Sequence, residues 1–251
     1  MANQMIEPGS AIQFPTRIQQ NASERFRTAE ARAPHRITDR TLIRKVRAAN
    51  GKLKRAFDIA ASLAAIIFLL PAFLTIAAVM KLTDPGPVLY RHTRVGRHGK
   101  RFACLKFRTM AVDSAERLAH ILTTDPYAAQ EWEASQKLKN DPRVTKVGNF
   151  LRKTSLDELP QLINILRGQM SVVGPRPITR AELNRYGRDR RYYLLVRPGL
   201  TGLWQVSGRS SVTYEKRVAF DRQYVEEWSW LGDLRIIAMT IPAVLKTSDA
   251  S

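Results

Sequence analysis

The run Ile59-Ala-Ala-Ser-Leu-Ala-Ala-Ile-Ile-Phe-Leu-Leu-Pro71-Ala-Phe-Leu-Thr-Ile-Ala-Ala-Val-Met80 carries no charge over twenty-two residues. As a straight helix it would reach roughly 33 Å at about 1.5 Å per residue, enough to cross a hydrocarbon core of roughly 30 Å. Pro71 sits inside it. A proline within a helix deletes a backbone donor and crowds the preceding turn, so a kink is expected near Leu70. Lys52, Lys54 and Arg55 precede the run, and Lys81, Arg91, Arg94 and Arg97 follow it. Basic flanks collect on the cytoplasmic side, and one straight span cannot put both there. A helix that enters, bends at Pro71 and leaves by the same face can. A kinked span stays open, because proline is tolerated in transmembrane helices, and so does a buried helix of a soluble core.

Ahead of this segment, residues 1–50 contain no apolar stretch long enough for a signal peptide and are dominated by Arg, Ala, Ser, Asn and Gln. Such a composition buries too little to offset its ordering entropy, which predicts a disordered basic arm. The whole chain has 41 Lys and Arg against 22 Asp and Glu, a formal charge of +19. Anionic partners follow: phosphates, nucleotides, nucleic acid or an acidic lipid surface. Cys104 is the only cysteine. An internal disulfide is excluded, and a packing role suits its strand-like setting.

Beyond Asp84-Pro-Gly-Pro87, two strands are expected over Val88–Val95 and Arg101–Arg108, joined through Gly96-Arg-His-Gly99. Their basic residues can face anionic headgroups or water. His92 and His98 lack partners at metal-ligand spacing and read as surface or loop residues. Helix is expected from Asp113 to about Lys139, interrupted at Asp125-Pro126, and again over Val147–Leu151. The apolar patch from Trp228 to Ile241 is too short to span. Its two leading tryptophans suit a helix lying at the headgroup level, with an ordinary amphipathic core helix as the alternative. The fold class is therefore α/β and mainly α, membrane-associated, with a small β-hairpin and amphipathic interfacial helices around a cytoplasmic site.

The chemistry concentrates in Arg152-Lys-Thr-Ser-Leu-Asp157-Glu158-Leu-Pro160 and in Gly174-Pro-Arg176-Pro177. Ser155-x-x-Glu158 matches a capping box, in which the acid only satisfies backbone donors. That placement would put Pro160 at the fifth helical position, where its missing N–H forfeits a bond. With Pro160 at the first position, Asp157 and Glu158 lie just ahead of a helix N-terminus that favours ionised groups. An ionised aspartate can attack phosphorus and split one difficult transfer into two. Phosphoryl transfer needs cations around the equatorial oxygens, and Lys106, Arg152, Arg176 and Arg209 are the candidates. Mg²⁺ is the natural partner, held by one carboxylate and the substrate phosphates.

In order along the chain, Lys54-Arg55-x-x-Asp58-Ile59, Lys106-Phe-Arg-Thr-Met110, Leu151-Arg-x-x-Ser155-Leu-Asp-Glu-Leu-Pro-Gln161, Val173-Gly-Pro-Arg-Pro177, Arg197-Pro-Gly-Leu-Thr-Gly-Leu-Trp-Gln205 and Ser207-Gly-Arg209 appear. This set, spanning about Leu53 to Lys246, resembles the bacterial sugar transferases, the monotopic polyprenyl-phosphate phosphoglycosyltransferases. The similarity is greatest to short members that begin exopolysaccharide synthesis by moving galactose 1-phosphate to undecaprenyl phosphate. The resemblance implies a membrane helix over 51–82, re-entrant and broken at Pro71, and a cytoplasmic catalytic domain over 83–251. It implies Asp157 as nucleophile and Mg²⁺ contact, Glu158 as its acidic partner, and Lys106, Arg152, Arg176, Arg209 and Asp233 as substrate-site residues.

By that similarity Asp157 attacks the β-phosphorus of a UDP-sugar, UDP-galactose or UDP-glucose, and expels UMP. Undecaprenyl phosphate then takes the phosphosugar. The expected location is the cytoplasmic face of the bacterial inner membrane, against anionic lipid, with homo-oligomerisation left open. Three features depart from the common pattern: Leu70 stands where many members have serine, His92 where glutamine is frequent, and only the basic arm is expected ahead of the catalytic part, as in a minimal form. A non-catalytic basic module on membrane or nucleic acid would explain the charge but not the acid pair. No DNA-reading motif is present, so nucleic acid is not an expected partner. A conventional glycosyltransferase would release UDP rather than UMP.

Overall fold

The computed structural model describes residues 39–135, 138–208 and 212–245. Helix α1, Arg40–Ala49, turns Leu42 and Ala49 inward. Lys45 Nζ donates to the Glu226 carbonyl at 2.8 Å, and Asn50 Nδ2 donates to the carbonyls of Val46 and Leu195. The expectation of a disordered arm to residue 50 is corrected here. Its last ten residues fold because Leu42 and Ala49 find cover, while the rest of the arm lies outside the described residues.

Helix α2 runs from Lys52 to Thr83, 32 residues, with Pro71 inside it. Among the described residues it is the one helix long and apolar enough to cross a membrane. The expected break at Pro71 is not a gap in the helix. The lost donor removes one hydrogen bond while the turns on either side persist, and the Thr75 hydroxyl donates back to the Pro71 carbonyl at 2.9 Å, a contact that favours bending. Lys54, Asp58, Ser62 and Met80 are buried along one stripe. Leu63, Phe68, Leu74 and Leu82 are exposed on the remaining surface, Phe68 by 83 % and Leu82 by 84 %. A helix that is apolar even where it meets solvent has found only part of its environment in its own chain.

Strands β1 (Leu89–Val95) and β2 (Arg101–Phe107) pair antiparallel, with Tyr90 opposite Lys106 and His92 opposite Cys104. The connection uses a left-handed His98 and Gly99. Helices α3 (Ser114–Thr124) and α4 (Pro126–Ser135) meet at the expected Asp125-Pro126 interruption. Helix α5, Lys146–Lys153, starts at Thr145, whose side chain accepts from Gly148 N. Gly148 is required there, since a Cβ would overlap the Thr109 carbonyl.

A 3₁₀ turn, Leu156–Glu158, leads to α6, Gln161–Leu166. Next come β3 (Ser171–Val173), α7 (Arg180–Arg185), α8 (Arg190–Leu195) and β4 (Gly199–Thr201). Strands β3 and β4 pair in parallel. The chain ends with α9 (Leu203–Val206), α10 (Tyr214–Glu227) and α11 (Trp230–Leu245). Among the described residues the architecture is mainly helical with two small sheets, each of two strands.

The core fastens this body to α2 at several points. Phe102, Cys104, Leu162, Ile165 and Met170 pack with Ala65, Ile66 and Phe73 of α2. Met80, Phe107 and Leu151 form a second cluster with Phe73 and Ile76. At roughly 1.5–3 kcal/mol for each large apolar side chain fully buried, both clusters hold the hairpin and α6 firmly against the helix. Cys104 is buried, in its expected packing role. Trp228, expected at a headgroup surface, is instead buried, because its indole N–H donates to Asp233.

Candidate active site

Asp157 and Glu158 leave the chain in the 3₁₀ turn between α5 and α6. Ser155 precedes them with φ 58° and caps nothing. A left-handed serine costs about 1 kcal/mol, and it turns the acids away from the axis of α5. Pro160 stands at the start of α6, so both acids lie ahead of that helix and the capping-box reading falls. The Glu158 carboxylate is held by cations rather than by backbone.

Lys106 reaches both acids from β2. Its Nζ lies 2.7 Å from Glu158 Oε1 and 3.3 Å from Asp157 Oδ2. Arg176 Nη2, from the Gly-Pro-Arg-Pro corner, lies 3.7 Å from the same Glu158 oxygen. Arg152 Nε donates to Thr109 Oγ1 at 2.9 Å. This fixes its guanidinium where its charge stabilises ionised Asp157. Lys106, Arg152 and Arg176 thus gather at the acid pair. Arg209 lies outside the described residues.

Asp233 joins another set. Its carboxylate takes Lys54 at 3.1 Å, the Tyr224 hydroxyl at 3.0 Å and the Trp228 indole at 3.2 Å. Lys54 also binds Asp58 and Ser171. Asp233 is 1 % exposed, and its protein partners do not include Lys106, Asp157 or Glu158.

The two acids are electrostatically unequal. Burial raises the pKa of Asp157; Lys106 opposes this, and the charge of Glu158 adds to it. Burial would raise Glu158 too, but Lys106 and Arg176 prevail and bring it to about 2. Lys106 is held protonated despite its burial, chiefly by Glu158 and Asp157. A carboxylate pair split in this way has one member committed to ion pairing and one whose charge is less satisfied. Asp157 Oδ1 makes no hydrogen bond among the described residues.

Among the described residues no group of three or more His, Cys, Asp or Glu side chains forms a metal cage. Mg²⁺ does not require one. It is commonly held by one or two carboxylates together with substrate phosphates and water. Asp157 Oδ1 and Glu158 Oε2 both lack a hydrogen bond among the described residues, so each acid has an oxygen for that role, and Glu158 already carries two cations on Oε1 while Asp157 carries one on Oδ2.

Sequence reading missed two supports. Asn164, fully buried, accepts from Leu105 N and donates to the Ala103 carbonyl and to Gln169 Oε1. It stitches α6 to β2 beside Lys106, and its signal was an amide in the middle of Leu162-Ile-Asn-Ile-Leu166. Arg94 bridges β1 to Glu182, the N3 residue of the capping box that opens α7.

Residues 49–247 match the model of the bacterial sugar transferase family. The chain belongs to that family. It is 56 % identical over 198 residues to the UDP-galactose-lipid carrier transferase of Erwinia amylovora, covering 79 % of this chain and 41 % of the relative. It is 52 % identical over 217 residues to the exopolysaccharide production protein ExoY of Rhizobium meliloti, covering 86 % and 95 %. To the UDP-glucose:undecaprenyl-phosphate glucose-1-phosphate transferase of Escherichia coli it is 42 % identical over 200 residues, covering 76 % and 40 %. The chain thus spans about two fifths of the first and third relatives and nearly all of the second.

Proposed function

We propose that this chain transfers a hexose 1-phosphate, galactose 1-phosphate foremost, from a UDP-sugar to undecaprenyl phosphate, as the first membrane step of exopolysaccharide synthesis. The observation that carries the proposal is the Asp157–Glu158 pair, set against Lys106 and Arg176 in a body fastened to an apolar helix. The relatives named for a galactose carrier, exopolysaccharide production and a glucose 1-phosphate transferase support the reaction class. Identity of 56 % to the galactose relative against 42 % to the glucose relative favours galactose.

Asp157 attacks the β-phosphorus, a new P–O bond forms to its carboxylate, and the bond to UMP breaks with its electron pair leaving on UMP. An oxygen of undecaprenyl phosphate then attacks the same phosphorus and releases the aspartate. Lys106, Arg152 and Arg176 orient the phosphates and offset their charge. Glu158 keeps Lys106 protonated and in place. Asp157, with the substrate phosphates, would hold Mg²⁺, which would supply further charge stabilisation.

The re-entrant course of α2 is part of the proposal, with the inner membrane's cytoplasmic face as the setting. It is supported by both arms packing on one body, Asp58 against Ser171 at one end and Met80 against Phe107 and Leu151 at the other. A straight span would set those ends about 30 Å apart with lipid between them. Exposed Leu231, Leu234 and Ile241 on α11 support an interfacial position for that helix. The functional test is incubation with UDP-galactose, UDP-glucose and undecaprenyl phosphate. UMP and a lipid diphosphate sugar are expected; UDP would point instead to sugar transfer without phosphate. For topology, Leu53→Cys and Leu82→Cys should label from the same side of the membrane, with buried Cys104 silent. Labelling from opposite sides would contradict the re-entrant course.

A further inference from the structure

A cleft of about 510 Å³ opens between β1 and the start of α7, and His92 lines it with Tyr90, Arg94 and Thr179. Residues directly opposite across an antiparallel ladder share a face. Tyr90 faces Lys106 and His92 faces Cys104, so His92 stands one two-residue step, about 7 Å, from the lysine that holds both acids.

The orientation of His92 is imposed by a chain of polar contacts. Glu182 is fixed by the Thr179 cap and accepts Arg94 Nη1 at 2.9 Å. The other arm of Arg94 lies 3.2 Å from His92 Nδ1. Arginine only donates, so Nδ1 is the acceptor, and in a neutral ring the proton sits on Nε2. Burial, with Arg94 and Lys106 nearby, lowers the pKa of His92 and keeps the ring neutral. No hydrogen bond to Nε2 occurs among the described residues. The result is a fixed, unspent N–H donor in a cleft, one ladder step from the lysine that holds both acids.

We infer that His92 Nε2–H donates to the C4 hydroxyl of the transferred hexose, making His92 a specificity-determining residue. This rests on the hexose 1-phosphate reading above. In-line displacement puts Asp157 and the departing UMP on opposite sides of phosphorus, so the hexose oxygen is one of the three equatorial substituents and, on this inference, is directed along the hairpin face. The phosphate is attached at C1, and C4 is the opposite corner of the pyranose ring. A donor one ladder step, about 7 Å, beyond the phosphate-holding lysine matches the reach of the C4 hydroxyl. Galactose and glucose differ only in the configuration at that carbon.

The test compares kcat/KM for UMP release from UDP-galactose and UDP-glucose in the wild type, His92→Phe and His92→Gln. The wild type is expected to prefer one epimer. His92→Phe should shrink that preference at least about fivefold, the scale of one hydrogen bond, and His92→Gln, which keeps a donor, should shrink it less. An unchanged ratio, or equal losses on both sugars, overturns the inference. The wild type also provides a version that needs no variant: the UDP derivative of 4-deoxyglucose, common to both epimers, should react at least about fivefold more slowly than the preferred sugar. Equal rates overturn the inference. A wild type that releases no UMP from any UDP-sugar overturns the underlying reading, which separates the two failures.

Discussion

Two clusters in this molecule use the same ingredients, a lysine set between two carboxylates, and differ in what is left over. At the root of α2, Lys54, Asp58 and Asp233 are 1–2 % exposed. Ser171, Val172 N, Tyr224 and Trp228 take up most of their hydrogen-bonding capacity, with Asp58 Oδ2 unpaired among the described residues. Around β2, Lys106, Asp157 and Glu158 are 22 %, 11 % and 25 % exposed, and fewer protein groups satisfy them. A filled, buried cluster fixes the position of a helix. An open one, with cations to spare, can receive phosphate.

The sharpest way to break this comparison is to remove one member from each side. Asp157→Asn should lower UMP release at least about 10³-fold, the scale of losing a nucleophile, while leaving the thermal unfolding midpoint within a few degrees. Unchanged turnover would remove Asp157 from the chemistry. Lys54→Ala should do the reverse. Stranding two buried carboxylates costs about 3–5 kcal/mol, visible as a large fall in the unfolding midpoint in detergent. If Lys54→Ala is as stable as the wild type, the cluster does not fasten the helix.

A smaller effect is expected from Lys106→Met: a loss of about 10²–10³ in kcat/KM. Smallest is the shift with pH. Asp157 has its folded pKa raised above 3.8, so the acid limb of UMP release should have its midpoint above that value. Lys106 pulls this pKa down, so Lys106→Met should move the midpoint higher; a downward move would contradict the assigned electrostatics. Glu158 has the opposite linkage. Its pKa falls from 4.5 unfolded to about 2 folded, so its stabilisation is fully present above about pH 4.5 and is lost as pH falls toward 2.

Much of this was legible in sequence, for local reasons. The hairpin follows from strand-like runs around Gly96 and Gly99, and the acid pair is contiguous, with Pro160 marking where α6 begins. What could not be read is which charges meet. Lys106 and Asp157 are 51 residues apart, and no periodicity links them. Asp233 and Lys54 look as available for substrate as Asp157 and Lys106 until burial separates them. The parallel pair β3–β4 has three-residue strands held by a non-local crossover, too short to show a pattern. The disordered-arm expectation failed at α1 because Leu42 and Ala49 find their cover in tertiary structure.

The central claim is that Asp157 becomes covalently bonded to the phosphosugar. Intact-mass spectrometry of the protein incubated with UDP-sugar and Mg²⁺, without undecaprenyl phosphate, tests it most directly. The account predicts a hexose-phosphate adduct on the peptide carrying Asp157, absent in Asp157→Asn and discharged when the lipid acceptor is added. Formation of lipid-linked product under rapid quench with no adduct at any time would contradict it.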